Sequence, residues 1–100
     1  MLYAILAEDL PGSLDKRVAT RSAHVERLKA LQDEGRLILA GPHPAIDAND
    51  PGPAGFSGSL IVAEFATREA AIAWASEDPY AKAGVYGTVT VKPFRKTLPA

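Results

Sequence analysis

Two histidines, twelve carboxylate residues, eleven Lys and Arg, and no cysteine make up the reactive inventory of this 100-residue chain. Without cysteine there is no thiolate nucleophile, no disulfide and no thiolate zinc site, which leaves His, carboxylate, Ser, Lys and Tyr chemistry. His24 is the sharpest signal. It shares a helical stripe with Leu28 and Leu31, so it should face a sheet rather than water. Arg21 and Arg17 lie one and two turns upstream on that stripe, where they could offer cationic donors to a carboxylate or enolate. The body of the helix is expected to begin near Thr20. On that reading His24 sits within about a turn of the positive helix end, which favours the neutral imidazole as a base. The competing reading is a core-edge histidine bonded to a backbone carbonyl.

A histidine base needs an orienting carboxylate, and two are available. Asp33 is nine residues on, about 180° around the helix, and so points away. Asp78 closes a second helix beside Pro79 and is the better candidate, although an Asp before Pro is also a plain turn former. His43, in Gly41-Pro42-His43-Pro44, reads as extended, exposed loop. With neither histidine in an HxH or HExxH setting, no metal site and no cofactor are expected. Gly52, Gly55 and Gly58 precede Ser59 at three-residue intervals, but a phosphate cradle needs a Lys and a following helix, and a strand follows here. Ser59 at the mouth of that strand remains a candidate ligand donor.

The elements that must position these groups follow from periodicity. Leu2 to Glu8 is an apolar run ended by Asp9-Leu10-Pro11-Gly12-Ser13 and reads as a strand. Leu14 to Glu34 reads as a helix released by Gly35. Leu37 to Ala40 is a second strand, followed by a long loop from His43 to Gly55 that could serve as a lid or binding loop. Gly58 to Phe65 is the third strand. Thr67 caps a second helix whose stripe is Ala70, Ala71, Trp74 and Ala75, until Asp78-Pro79 breaks it. Val85 to Pro93 is the last strand.

This order is the ferredoxin-like βαββαβ arrangement, an α+β fold with both helices on one face of an antiparallel sheet. Residues 1–100 are expected to form a single domain. The first and third strands are apolar on both faces, Leu60-Ile61-Val62-Ala63 most clearly, so the helix-free face should be covered, and a homodimer through that face would cover it. A net charge of −1 offers no field for nucleic acid, and the third strand lacks the aromatics of an RNA-binding sheet. No signal peptide or span of roughly 20 apolar residues is visible, so the expected location is cytoplasmic, away from membranes.

Arg17, Arg21, His24, Leu28, Gly35, Gly41-Pro42, Gly58-Ser59, Asp78-Pro79-Tyr80 and Gly84 fall in the order and spacing of the YciI-like family, which the chain resembles from Met1 to about Lys96. The resemblance implies a ferredoxin-like subunit pairing into a dimeric α/β barrel, with a His/Asp-centred pocket in each subunit. Carried onto this chain, the site falls on His24 and Asp78, with Arg17 and Ser59 as neighbours. The superfamily includes a dehalogenase and muconolactone isomerases, so the resemblance implies acid/base chemistry of lyase, isomerase or dehalogenase type on a small unsaturated acid or enol. The alternative is a non-catalytic metabolite-binding or accessory dimer.

Overall fold

The computed structural model describes all residues from Met1 to Ala100. The elements are β1 (Leu2–Asp9), α1 (Leu14–Asp33), β2 (Leu37–Pro44), β3 (Phe56–Glu64), α2 (Arg68–Ser76), α3 (Pro79–Lys82) and β4 (Tyr86–Phe94), with one turn of 3₁₀ helix at Gly52–Ala54. The sheet order is β2-β3-β1-β4 and every pairing is antiparallel. This is the ferredoxin-like α+β arrangement. No helix is long and apolar enough to cross a membrane.

Strand alternation sorts the side chains between the two faces. Tyr3, Ile5 and Ala7 of β1 stand opposite Ala63, Ile61 and Ser59 of β3 and are buried on the helix side. With Val91, Leu31, Phe65, Ala71 and Ala75, most of them form the main core, against which Leu28 and Trp74 pack. The other parity of β1, β3 and β2 places Leu6, Leu60 and Leu39 on the helix-free face, where Leu6 and Leu39 are exposed.

Local signals end the helices as their chemistry requires. Gly35 has φ of +71° and follows the last turn of α1. Its N–H donates to Gln32 at 3.0 Å, and that of Arg36 donates to Leu31 at 3.0 Å, the Schellman pattern. Thr67 caps α2 by accepting from the Ala70 N–H at 3.0 Å.

Three local features depart from the sequence reading. α1 runs unbroken from Leu14, not from Thr20. β2 continues through Gly41-Pro42-His43-Pro44, so His43 is an exposed strand residue opposite Gly58 rather than loop, and the loop shortens to residues 45–55. Proline is tolerated there because β2 is an edge strand. Third, Asp78-Pro79 ends α2 but also starts α3, with Asp78 as the capping residue and Pro79 in the first turn.

A register shift between β1 and β4 bears on the site. Ala7 pairs with Val89 but Asp9 pairs with Tyr86, so a bulge intervenes. It moves Tyr86 onto the helix side beside Asp9, where it is 8% exposed. Nearby, β1 and β3 approach so closely that a Cβ on Gly58 would stand 2.0 Å from the Ala7 carbonyl oxygen. Gly58→Ala should therefore cost about 1–3 kcal/mol of stability by overpacking, measured as a lowered urea midpoint with unchanged slope.

Candidate active site

The buried residues of α1 are Arg17, His24 and Leu31. His24 lies ten residues beyond Leu14, three turns into the helix. The helix-end argument for a neutral base therefore does not apply, because the dipole's influence is confined to the first turn. A different contact governs the ring.

His24 Nδ1 lies 2.8 Å and 2.9 Å from the two carboxylate oxygens of Asp78. Asp78 is 1% exposed and also accepts the Tyr80 backbone N–H at 2.9 Å. Asp33, the other carboxylate considered, is exposed at the end of α1. With Nδ1 donating to an acidic partner, Nε2 is the nitrogen left to act on a ligand. The Tyr80 ring stacks on His24 with centroids 4.0 Å apart and planes 19° from parallel.

Arg17 is not the free cation that its stripe position suggests. Its Nε and Nη2 donate to the two carboxylate oxygens of Asp9 at 2.7 Å each, a bidentate pair with both side chains buried. Nη2 also donates to Ser59 Oγ at 3.0 Å and to the Gly58 carbonyl at 3.2 Å. Burial opposes the charge, but the Asp9 carboxylate outweighs it and holds the guanidinium above its ordinary value. Arg21, by contrast, is exposed and enters no ion pair.

These groups meet at a cavity of about 370 Å³ whose walls include Arg17, Arg21, His24, Leu28, Ser59 and Tyr80. β2 closes one side with Ala40, Gly41 and Pro42, and Phe56 contributes an aromatic wall. Its size falls within the range of roughly 300–1,000 Å³ found for small-molecule sites. Of the sequence-predicted residues, His24, Arg17, Arg21 and Ser59 border the cavity directly, while Asp78 lies behind His24. No group of three or more His, Cys, Asp or Glu side chains is placed to hold a metal ion.

A family profile for the YCII-related domain matches residues 1–95. The chain belongs to this family. It is similar to Protein YciI of Escherichia coli O6:H1, with 60% identity over 98 residues covering 98% of this chain and all of that protein. An uncharacterized protein of Haemophilus influenzae is 54% identical over the same length and coverage. Among solved structures, it is similar to 5-chloro-2-hydroxyhydroquinone dehydrochlorinase (TftG) from Burkholderia phenoliruptrix AC1100 in complex with 2,5-dihydroxybenzoquinone. That match has a TM-score of 0.83 and 25% identity, covering 95% of this chain and 94% of the other. An antibiotic biosynthesis monooxygenase shares the fold at a TM-score of 0.51 and 15% identity, covering 97% and 99% of the two chains.

Sequence reasoning missed three residues that the structure gathers at this candidate site. Asp9 looked like the first residue of a turn, and its partnership with Arg17 crosses the connection between strand and helix. Tyr80 follows an Asp-Pro pair that reads as a helix start as well as a stop, and that second meaning would have placed it. Tyr86 depends on the bulge and left no signal.

The Tyr86 hydroxyl is buried without a hydrogen-bond partner. Burial, only partly offset by the nearby Arg17 charge, pushes its pKa well above the ordinary phenol value, and burial raises Tyr80 in the same direction. Below about pH 10 the phenols are neutral in both folded and unfolded chains. Above it the unfolded chain ionises first, so stability falls as pH rises. Tyr86→Phe should be nearly neutral for stability at pH 7, because the lost hydroxyl satisfied nothing, and should flatten the alkaline decline in urea unfolding between pH 9 and 11.

Proposed function

We propose that the protein is a small-molecule enzyme in which His24, oriented by Asp78, acts as general base and acid on a small unsaturated acid or enol. The observation that carries this reading is the His24–Asp78 contact at the wall of the cavity. A buried carboxylate on one ring nitrogen fixes the tautomer and orientation, and the other nitrogen is left for a ligand. Arg21, at the cavity wall without a carboxylate partner, is suited to hold an anionic substituent. Arg17 and Ser59 shape the wall as one hydrogen-bonded unit, so the substrate-binding role first given to Arg17 becomes chiefly one of positioning. The similar dehydrochlorinase, in complex with a dihydroxybenzoquinone, supports the choice of substrate class.

In such a reaction His24 Nε2 takes a proton from a hydroxyl or an acidic carbon of the substrate. The electron pair left behind forms a new double bond. It either expels a leaving group such as chloride from the conjugated system, or is protonated at another atom of that system by the His24 imidazolium returning the proton it took, which covers elimination and isomerisation with one residue. General acid/base catalysis contributes roughly 10²–10⁴-fold. Chloride release from 5-chloro-2-hydroxyhydroquinone and solvent deuterium exchange into small enolisable acids are the assays. The wild-type chain should turn over at least one of these, and His24→Ala and Asp78→Asn should each lose roughly that factor. A chain that binds such compounds but leaves all of them unchanged would be a metabolite-binding protein instead.

We further propose that two copies pair through their helix-free sheet faces. Leu6 is 38% and Leu39 is 49% exposed on that face, with Leu60 beside Leu6 in the paired strand. Light scattering should give twice the 10.6 kDa chain mass for the wild type. Leu6→Lys, which puts a charge at the middle of the face, should shift the protein to monomer without changing its circular dichroism.

A further inference from the structure

The cavity holds a second polar group that the reaction above does not use. Tyr80 is in the first turn of α3, two residues beyond Asp78, and its backbone is tied on both sides. Its N–H donates to Asp78 and its carbonyl accepts the Val85 N–H at 2.9 Å. The ring is held as firmly. One face is stacked on His24, the Arg17 guanidinium carbon lies 4.7 Å from its centroid, and Tyr86 meets it edge-on at 5.5 Å and 74°.

Although Tyr80 is only 2% exposed, it lines the cavity. Its phenol hydroxyl is the one polar side-chain group it can offer to a ligand there. The polar side-chain atoms that are fully buried and unpartnered are Arg27 Nη1 and the Tyr86 hydroxyl, and the Tyr80 hydroxyl is not among them. We propose that Tyr80 is a substrate-contacting residue whose phenol O–H donates a hydrogen bond to the ligand oxygen on which negative charge gathers when His24 takes a proton.

Three observations support this assignment, which rests on the acid/base reading of the cavity. Burial raises the Tyr80 phenol above its ordinary value despite the opposing charges of Arg17 and Arg21, so the group stays protonated and keeps a proton to donate. The Arg17 charge beside it strengthens it as a donor, and the Asp9 clamp prevents Arg17 from swinging out to meet the ligand itself. The stack on His24 makes the two rings a single slab, so base and donor keep a fixed spacing through packing, and such preorganisation lets a hydrogen bond stabilise developing charge. The ligand class narrows accordingly. It is an oxygen acid of phenol, enol or hydroxyquinone type, in which the oxygen that loses its proton is conjugated to the oxygen that gains charge.

The test is titration of 2,5-dihydroxybenzoquinone into wild-type, Tyr80→Phe and His24→Ala protein at neutral pH, followed by calorimetry and by ¹³C and ¹⁵N NMR of the two rings. Tyr80→Phe keeps the stack and removes only the donor. It should weaken binding by roughly ten- to a hundred-fold, the loss typical of a hydrogen bond to a charged group, while the His24 ring signals of the ligand-free variant stay in place. In the wild type the Tyr80 ζ-carbon resonance should move on binding. Equal affinity of Tyr80→Phe and wild type would overturn the proposal and leave the His24 reading standing. So would displaced His24 signals in the free variant, which would make Tyr80 a structural prop. Absence of binding to the wild type would overturn this proposal together with the enol-site reading. Loss in Tyr80→Phe with no change in His24→Ala would uphold the Tyr80 contact and count against His24 as the base.

Discussion

A carboxylate that is 1% exposed governs this structure. Burying a charge costs several kcal/mol unless hydrogen bonds and a counter-group compensate, and Asp78 finds its compensation in two places. The His24 ring takes both oxygens, and the Tyr80 backbone N–H adds a bond to one of them. Those contacts join the middle of α1 to the start of α3 across fifty-four residues of sequence. α1 has need of such a tie. Two of its three buried residues, Arg17 and His24, are polar, so its seat on the sheet depends on matched polar groups as much as on burial of Leu31.

The second pair works in the same way at the other end of the cavity. Asp9 leaves β1 at the bulge, Arg17 reaches it from the first turn of α1, and Ser59 and Gly58 of β3 complete the set. Each of these two buried carboxylates is thus met at short range, and the inner wall of the cavity is built from groups with little freedom to move. That division leaves Arg21 as an unmatched cation at the wall and His24 Nε2 as the ring nitrogen without a carboxylate. A site built this way has its geometry fixed before a ligand arrives, which lowers the ordering cost of binding.

The sequence was most legible where local chemistry decides the outcome. Gly35 at the end of α1 and Thr67 at the start of α2 act through their own backbone and side chain, and the strand–helix order follows from periodicity. Legibility failed where the deciding partner is distant or the signal has two meanings. Proline in Gly41-Pro42-His43-Pro44 marks a loop in the interior of a sheet but is compatible with a strand at its edge, and only the sheet order shows that β2 is the edge. Asp78-Pro79 stops one helix and starts another. At the candidate site, spacing turned Asp33 away from His24 but could not bring Asp78 to it, since that contact is tertiary. Arg17 was read from its stripe alone, and its Asp9 partner lies on another element.

The outer strands carry a consequence for how copies of this chain can associate. β2 bears Pro42 and Pro44, which have no backbone N–H to offer a neighbour, and β4 bears Pro93, with its Val91 carbonyl already bonded by the Arg68 guanidinium at 3.0 Å. Both rims of the sheet are poor templates for a further strand. Open-ended stacking of sheet on sheet edge, the route toward fibrils, is therefore discouraged at either side, and contact between chains is steered to the broad surfaces, where it can close on itself and stop.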